Sequence, residues 1–141
     1  MRPDAVAVAA LVILLFPMGY FLLASPAFLL VRLDIPPVTQ LLRGMFNTQF
    51  RMVSVAGIVG TAAFIFAGRP LFAAGIGLIA VLAIRGRPWF MRQIDDQLSA
   101  RDAGDANAVR QLRRLHWKAM LCNAVLVAAL VASIPYVAIS A

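Results

Sequence analysis

The sequence predicts an all-α membrane protein, a bundle of four transmembrane helices with one short amphipathic cytoplasmic helix between the third and the fourth. Of 141 residues, 62% are apolar and only 13% are charged, whereas soluble domains carry roughly 25% charged residues. A soluble domain of about 150 residues buries only about 70% of its unfolded surface, so it could not hide this much apolar surface. The apolar runs lie at 5–31, 46–67, 70–85 and 117–139, and together they predict one integral membrane domain covering 1–141.

The first run, 5–31, is long enough to cross the hydrocarbon layer, which needs roughly 20 helical residues. It exceeds the roughly 7–15 residues of a signal-peptide core, so we expect a retained helix. Pro17 and Pro26 predict kinks, because proline removes a backbone donor from the helix. Asp34 and Pro36 predict the end of this segment.

The second and third runs are short and predict an antiparallel helical hairpin. The stretch 35–51 mixes polar and apolar residues, which indicates an interfacial piece that leads into helix two. Residues 68–70 read Gly-Arg-Pro and predict a tight break, since Gly ends helices and Pro occupies first turns. Residues 85–88 read Arg-Gly-Arg-Pro and predict the end of helix three.

The longest polar stretch, 88–118, separates the third and fourth runs. Its apolar side chains fall on one side of a helix, which is typical of a short amphipathic helix on a membrane surface; they are Trp89, Phe90, Ile94 and Leu98. Asp105 is predicted to cap the last helix, which would begin at Ala106 and enter the fourth span after several basic residues.

The basic residues predict the orientation. Eleven of the 13 Lys and Arg residues fall in the first and third connections, on one side of the four spans. The positive-inside rule places that side in the cytoplasm and both termini in the periplasm of a bacterial inner membrane. Six of these residues predict a basic membrane surface: Arg85, Arg87, Arg110, Arg113, Arg114 and Lys118. The net charge of +7 thus reflects the orientation of the chain in the membrane. The lipid bilayer is the expected partner, and binding to nucleic acid is not expected.

Small residues recur every four positions, a spacing that lets membrane helices approach closely. The pairs in helices two and three and the triplet in helix four favour packing within the bundle, with a subunit interface as the alternative: Ala56 with Gly60, Gly57 with Thr61, Ala73 with Gly77, and Ala124 with Ala128 and Ala132. The single cysteine, Cys122, is expected to be a small buried apolar residue.

A polar group on helix four is the candidate site. His116, Met120 and Asn123 share one face, and His116 with Met120 could hold a soft metal or a haem iron. The alternative is an interfacial histidine, with Asn123 bonded to a neighbouring helix; no cofactor is expected. Gln49 and Arg51 should lie at a similar depth, so Gln49, Arg51, His116 and Asn123 predict a polar cluster at the cytoplasmic end. The alternative is a solvated belt at the lipid headgroups.

Three functions stay open at this point. The first is an accessory or interaction subunit of a membrane complex, acting in a homo-oligomer or a larger assembly. The second is an oligomeric channel or carrier for a small solute or metal ion, and the third is a membrane oxidoreductase. The sequence contains no catalytic motif such as H-E-x-x-H or G-x-S-x-G, and the apolar centres of the spans contain no charged residue. Both observations favour the first function and a protein that is not an enzyme.

Residues 115–123, Leu-His-Trp-Lys-Ala-Met-Leu-Cys-Asn, resemble the L-H-x-x-S-x-L-x-N signature of a family of small four-helix membrane proteins. The bacterial members are a domain of unknown function, and the vertebrate branch is the transmembrane-protein-two-hundred-and-five family. Residues 25–28, 44–50 and 110–114 are also similar. Ala119 stands where the family tends to have Ser, and Asn47 replaces a Pro.

This resemblance implies a four-span topology without an assigned reaction, and an association of the vertebrate branch with platinum-drug resistance. A second, weaker similarity is to small four-span proteins of the anthrone-oxygenase-like type, which would imply an enzyme.

Overall fold

The computed structural model describes residues 5–30 and 32–138, and within them it contains helices and connections but no strand. Helix α1 covers Ala5–Ala24 and continues as a 3-10 turn over Ser25–Leu29. Three longer helices follow: α2 at Pro36–Phe66, α3 at Pro70–Asp102 and α4 at Ala108–Ala138. All four are long and apolar enough to cross a membrane by length and composition. The predicted all-α, four-helix architecture is therefore confirmed.

The helices form an antiparallel ring in which each helix packs against two neighbours. Helix α2 packs between α1 and α3, and α4 closes the ring by packing against α1 and α3. Short connections force neighbouring helices to run antiparallel. We call the end where α1 and α3 finish the basic end, and the end that holds residue 5, the α2–α3 turn and residue 138 the terminal end.

Glycine in the left-handed region ends both α2 and α3. Gly68 has φ +72° and Gly104 has φ +94°. After each glycine, the next backbone N–H reaches back into the helix, from Arg69 to Phe64 O and from Asp105 to Ala100 O, each at 2.9 Å. These are Schellman caps, which only glycine forms without a steric penalty. The predicted break at residues 68–70 is confirmed.

The predicted end of helix three at residues 85–88, with a separate amphipathic helix after it, is wrong. Helix α3 runs through Pro88 for 33 residues. Proline removes one hydrogen bond from a helix interior. The turns that follow bury apolar side chains against α2 and α4, however, and full burial of one such side chain contributes about 1.5–3 kcal/mol. The buried side chains of α3 after Pro88 are Phe90, Met91, Ile94 and Leu98, in one cluster with Phe46 and Leu112.

Helix α2 begins at Pro36, so the stretch that was expected to be a separate piece leading into helix two is part of that helix. Leu42 and Phe46 recur at helical spacing and are each only 2% exposed, which makes the mixed stretch an ordinary amphipathic helix. Helices of 31–33 residues are about 46–50 Å long. This length is about 16–20 Å more than a hydrocarbon layer of about 30 Å requires.

The remaining predicted boundaries differ by a few residues. Residues 31 and 139, where the first and fourth runs were predicted to end, lie outside the described residues. Helix α4 begins at Ala108 instead of Ala106. The carboxylate of Asp105 accepts a 2.8 Å hydrogen bond from the backbone N–H of Asn107, so it stabilises the turn before α4 instead of capping the first turn of the helix as predicted.

Small residues bring α2 and α3 into backbone contact, as predicted. A Cβ built on Gly57 would lie 2.8 Å from the Cβ of Ala80, and one on Gly60 would lie 3.3 Å from Cγ2 of Ile76. A Cβ on Gly77 would lie 3.6 Å from the side chain of Thr61. The two helices therefore pack as closely as their backbones permit.

Helix α4 turns its small-residue face outwards, which contradicts the expected packing inside the bundle. Ala128 and Ala132 are exposed, and Ala124 is half-buried. Cys122 is also exposed, so its predicted burial is wrong. The reason is that α4 directs a different face inwards, the one that carries His116, Asn123 and other buried residues.

Candidate functional site

His116 is the most buried polar group of α4, with 1% of its surface exposed. Its Nε2 lies 2.9 Å from the backbone oxygen of Ser25 and 3.3 Å from the Ser25 hydroxyl oxygen. A carbonyl oxygen only accepts, so Nε2 carries the proton and donates it. The edge of the imidazole ring faces Phe46, with ring centroids 5.5 Å apart. His116 therefore joins α4 to the end of α1 and contacts α2.

The local structure of α1 explains why Ser25 meets this histidine. The α-helix ends at Ala24, and a 3-10 turn with Pro26 in its first turn follows. This tighter winding begins at Ser25, whose side chain is fully buried. Its hydroxyl and carbonyl oxygens both lie at hydrogen-bonding distance from Nε2 of His116. His116 therefore bonds to the residue just before Pro26, at the point where the α-helix changes to a 3-10 turn.

Asn123 makes a second hydrogen bond between α4 and α1, two turns beyond His116. Its Nδ2 donates to the backbone oxygen of Met18 at 3.0 Å, and the residue is 8% exposed. The prediction that His116 and Asn123 share one face is confirmed. The predicted hydrogen bond from Asn123 to a neighbouring helix is confirmed as well.

Gln49 belongs to the same region, as predicted. It lines a cavity of about 190 Å³ together with Asn123, and side chains of all four helices contribute to the wall. Phe46, which contacts His116, lines the cavity too. Two members of the predicted polar cluster, Gln49 and Asn123, therefore line one cavity, and His116 contacts its wall through Phe46.

Arg51 does not join this cluster, which contradicts the prediction. It is exposed and lines a separate groove between α1 and α2. Helical geometry gives the reason: Gln49 and Arg51 are two positions apart and point about 200° apart around the helix. Gln49 faces the interior, so Arg51 faces outwards beside Phe16 and Met52.

Metal binding by His116 and Met120 stays a prediction. Met120 is half-buried and packs against the aromatic cluster of the basic half. Residues 5–30 and 32–138 contain no group of three or more His, Cys, Asp and Glu side chains placed to hold a metal ion.

The predicted basic surface divides into exposed and half-buried residues. Arg85, Arg110, Arg114 and Lys118 are exposed, and Arg113 is half-buried. Arg87 instead binds α2: its Nε and Nη2 donate to Oδ1 of Asn47 at 2.9 and 2.7 Å. Because α3 continues beyond Arg85, Arg87 faces its neighbour rather than a lipid surface.

Sequence reasoning missed the hydrogen bonds of Arg101. Its Nη1 donates to Oγ1 of Thr39 at 2.7 Å and to the backbone oxygen of Leu33 at 3.2 Å. Only 10% of the Arg101 side chain is exposed, and Thr39 is 1% exposed. The arginine thereby fixes the α1–α2 connection to the end of α3. The only sequence feature that pointed to this contact was Thr39, which follows Pro36 and Pro37. The burial of Thr39 depends on α3, a distant helix.

Comparisons of the chain with protein families, with curated proteins and with solved structures give no match.

Proposed function

We propose that this chain is a multi-pass protein of a bacterial inner membrane and acts as an accessory or interaction subunit of a larger membrane complex. Four helices of sufficient length and hydropathy support the membrane placement. The basic end faces the cytoplasm in this proposal, because cationic residues are retained on that side of the inner membrane. Both termini then lie in the periplasm.

The outward face of α4 is the observation that carries the accessory role. Of the residues in its most apolar stretch, 17% are buried within the bundle, against 39% for α1. Ala128 and Ala132 lie on this exposed face. Small residues let a second helix backbone come close in lipid, where van der Waals contact replaces the hydrophobic driving force. The partner is therefore a transmembrane helix of another subunit.

The distribution of buried polar groups favours this role over a channel or carrier. Among the described residues the buried polar side chains are Ser25, Thr39, His116 and Asn123; the first three lie in the basic half, and Asn123 lies at the middle of α4. The other half is filled by an apolar cluster. A conduction path needs polar or water-lined surroundings across the whole membrane, which this interior does not offer.

A pair of matched substitutions tests the α4 surface. Ala128→Leu adds bulk on the exposed stripe, and Ala74→Leu makes the same change on an exposed position of α3. Native membranes are solubilised in a mild detergent, and the size of the assembly that contains the chain is measured. We expect an assembly larger than the 15.2 kDa monomer, dissociated by Ala128→Leu and retained by Ala74→Leu.

Two results would contradict the accessory role. One is a native assembly no larger than the monomer. The other is an assembly made only of copies of this chain, shown by co-purification of two differently tagged forms without a second protein, which would favour the oligomeric channel. Solute flux through liposomes that contain the chain alone would also favour the channel. A terminal tag that reagents reach only from the cytoplasm would overturn the orientation.

A further inference from the structure

The cavity of about 190 Å³ lies at the junction of all four helices, and each of them contributes to its wall. Two residues of its wall, Leu82 of α3 and Cys122 of α4, are exposed on the surface of the bundle. The cavity therefore opens between α3 and α4. These two helices contact each other less extensively than the other neighbouring pairs. In the proposed membrane placement, this opening faces lipid.

Two amides in an otherwise apolar wall have unused hydrogen-bonding capacity. Asn123 is more than nine-tenths buried, and its one hydrogen bond, to Met18, uses a single N–H. Its side-chain oxygen and second N–H have no partner in the described part of the chain. The Gln49 amide, half-buried in the same wall, forms no hydrogen bond with any described residue. Buried amides without partners are unfavourable, so this cavity suits a ligand that carries oxygens.

Aromatic rings form one side of the space. Phe46 lies 5.4 Å from Phe21 and 4.7 Å from Phe90, and Phe50 lies 5.4 Å from Phe90, measured between ring centroids. All four rings line the cavity. Tilted phenyl rings at such distances offer both faces and edges to a further ring. The wall thus favours a flat unsaturated ligand.

Size restricts the ligand to one ring. An engineered apolar cavity of about 150 Å³ accommodates benzene, so about 190 Å³ holds a single six-membered ring with a few substituents. An acyl chain would fill the space but would leave both amides without partners. Water would satisfy the amides but needs two to four polar neighbours for each molecule, which a largely apolar wall does not supply.

We infer that the cavity binds the head group of a lipid-soluble quinone or quinol. The ring lies among Phe21, Phe46, Phe50 and Phe90, and its oxygens bond the amides of Gln49 and Asn123. An apolar tail leaves between Leu82 and Cys122 into the membrane. This inference rests on the membrane placement of the proposed function, and it is independent of the accessory role.

The test uses the purified full chain in phospholipid nanodiscs. The probe is a benzoquinone with every ring carbon substituted and a ten-carbon tail, so that no ring carbon is open to addition of the Cys122 thiol. Binding is measured by calorimetry and by the rate at which a membrane-permeable maleimide alkylates Cys122. We expect one probe per chain and slower alkylation at saturation, because the bound tail covers the mouth of the cavity.

Two variants locate the site. Gln49→Leu removes an amide without breaking any internal hydrogen bond, and should weaken probe binding about tenfold, the value of one hydrogen bond. Gln93→Leu makes the same change at a half-buried position of α3 outside the cavity wall, and should leave the dissociation constant within about twofold. Ala119→Phe fills the space and should abolish binding, with the thermal midpoint measured to confirm that the variant folds.

Three results would overturn the inference. The first is equal binding of a cyclohexane with the same tail, which would show an acyl-chain groove. The second is no binding of either probe and unchanged alkylation of Cys122, as expected for a space filled by water. The third is a probe affinity that Gln49→Leu and Gln93→Leu change equally. None of these results affects the assembly test of the proposed function, so the two fail separately.

Discussion

The two halves of the bundle are held together by different means. In the terminal half, hydroxyl groups bond to carbonyls of their own helix: Ser54 to Phe50, Thr61 to Gly57 and Ser133 to Leu130. The contacts between helices there are apolar and close, as at Gly57 and Ala80, and one hydrogen bond from Nη1 of Arg69 in the α2–α3 turn to the backbone oxygen of Tyr136, at 2.9 Å, adds to them. In the basic half and at the middle of α4, polar side chains bond from one helix to another. These bonds join His116 to Ser25, Asn123 to Met18 and Arg101 to Thr39.

The comparison shows that close packing and directional hydrogen bonds stabilise the bundle in different ways. Close packing depends on volume, so it fails when a side chain is added between backbones. Directional bonds depend on particular atoms, so they fail when those atoms are removed and the buried partner loses its bond. Four phenyl rings, those of Phe21, Phe46, Phe50 and Phe90, pack together in the basic half, and the side chains of Arg101 and His116 reach from one helix to another there.

The largest effect should come from added volume in the terminal half. Gly57→Leu places a side chain where even a Cβ lies 2.8 Å from the Cβ of Ala80, so α2 and α3 must separate. We expect a loss of about 3 kcal/mol or more in the free energy of unfolding in detergent. Gly75→Leu is the matched control, because its Cβ meets nothing within 4 Å. Equal losses in the two variants would refute close packing as the main contact here.

Removal of the histidine ring should rank second. His116→Ala deletes a buried ring and its bond to Ser25, with an expected loss of about 2–3 kcal/mol in the free energy of unfolding. Ser25→Ala should cost less than about 1 kcal/mol, since the 2.9 Å bond is to the backbone oxygen and survives. If Ser25→Ala proved as severe as His116→Ala, the hydroxyl would be the true partner.

Loss of the Arg101 acceptor should have a moderate effect. Thr39→Val keeps the shape of the side chain and removes the oxygen that accepts from Nη1, with an expected loss of about 1 kcal/mol. Thr48→Val repeats the change at an exposed position of the same helix and should be neutral. Hydrogen exchange should also increase in the α1–α2 connection for Thr39→Val alone, and its absence would argue against the anchoring role of Arg101.

The smallest effect should come from the exposed ion pair at the basic end. Arg43 donates to both carboxylate oxygens of Asp95, at 2.7 and 3.0 Å, and both side chains are more than one third exposed. Asp95→Asn should change stability by less than about 0.5 kcal/mol, and the change should disappear in high salt. Asp96→Asn, at an exposed neighbouring position, is the control.

The same pair gives a pH dependence. Asp95 lies beyond the apolar part of α3, and the Arg43 guanidinium bonded to it holds the pKa of its carboxyl below the usual 3.8. A lowered folded-state pKa means that the pair stabilises the fold above that usual value and stops doing so as the pH falls through the folded pKa. The stability difference between the native chain and Asp95→Asn should therefore vanish in acid. A difference that grew in acid would contradict the ion pair.

The sequence was sufficient to predict local structure wherever one or two residues determine the backbone conformation or the distance between helices. The cap at Gly68 and the close approach at Gly57 follow from the absence of a Cβ. The shared face of His116 and Asn123 follows from helical periodicity alone. Pro88 was misread because the same residue ends a helix or is tolerated within one, depending on what the following turns bury.

The sequence by itself determined four apolar helices, their antiparallel order and the concentration of charge at one end, because hydropathy and turn chemistry are properties of short segments. Only the tertiary structure decided that α3 continues through Pro88, that α4 turns His116 inwards and its alanine stripe outwards, and that Arg51 leaves the polar group. Those outcomes depend on which neighbour fills the space beside each side chain, and that neighbour is as many as 105 positions away in the chain, as for Met18 and Asn123.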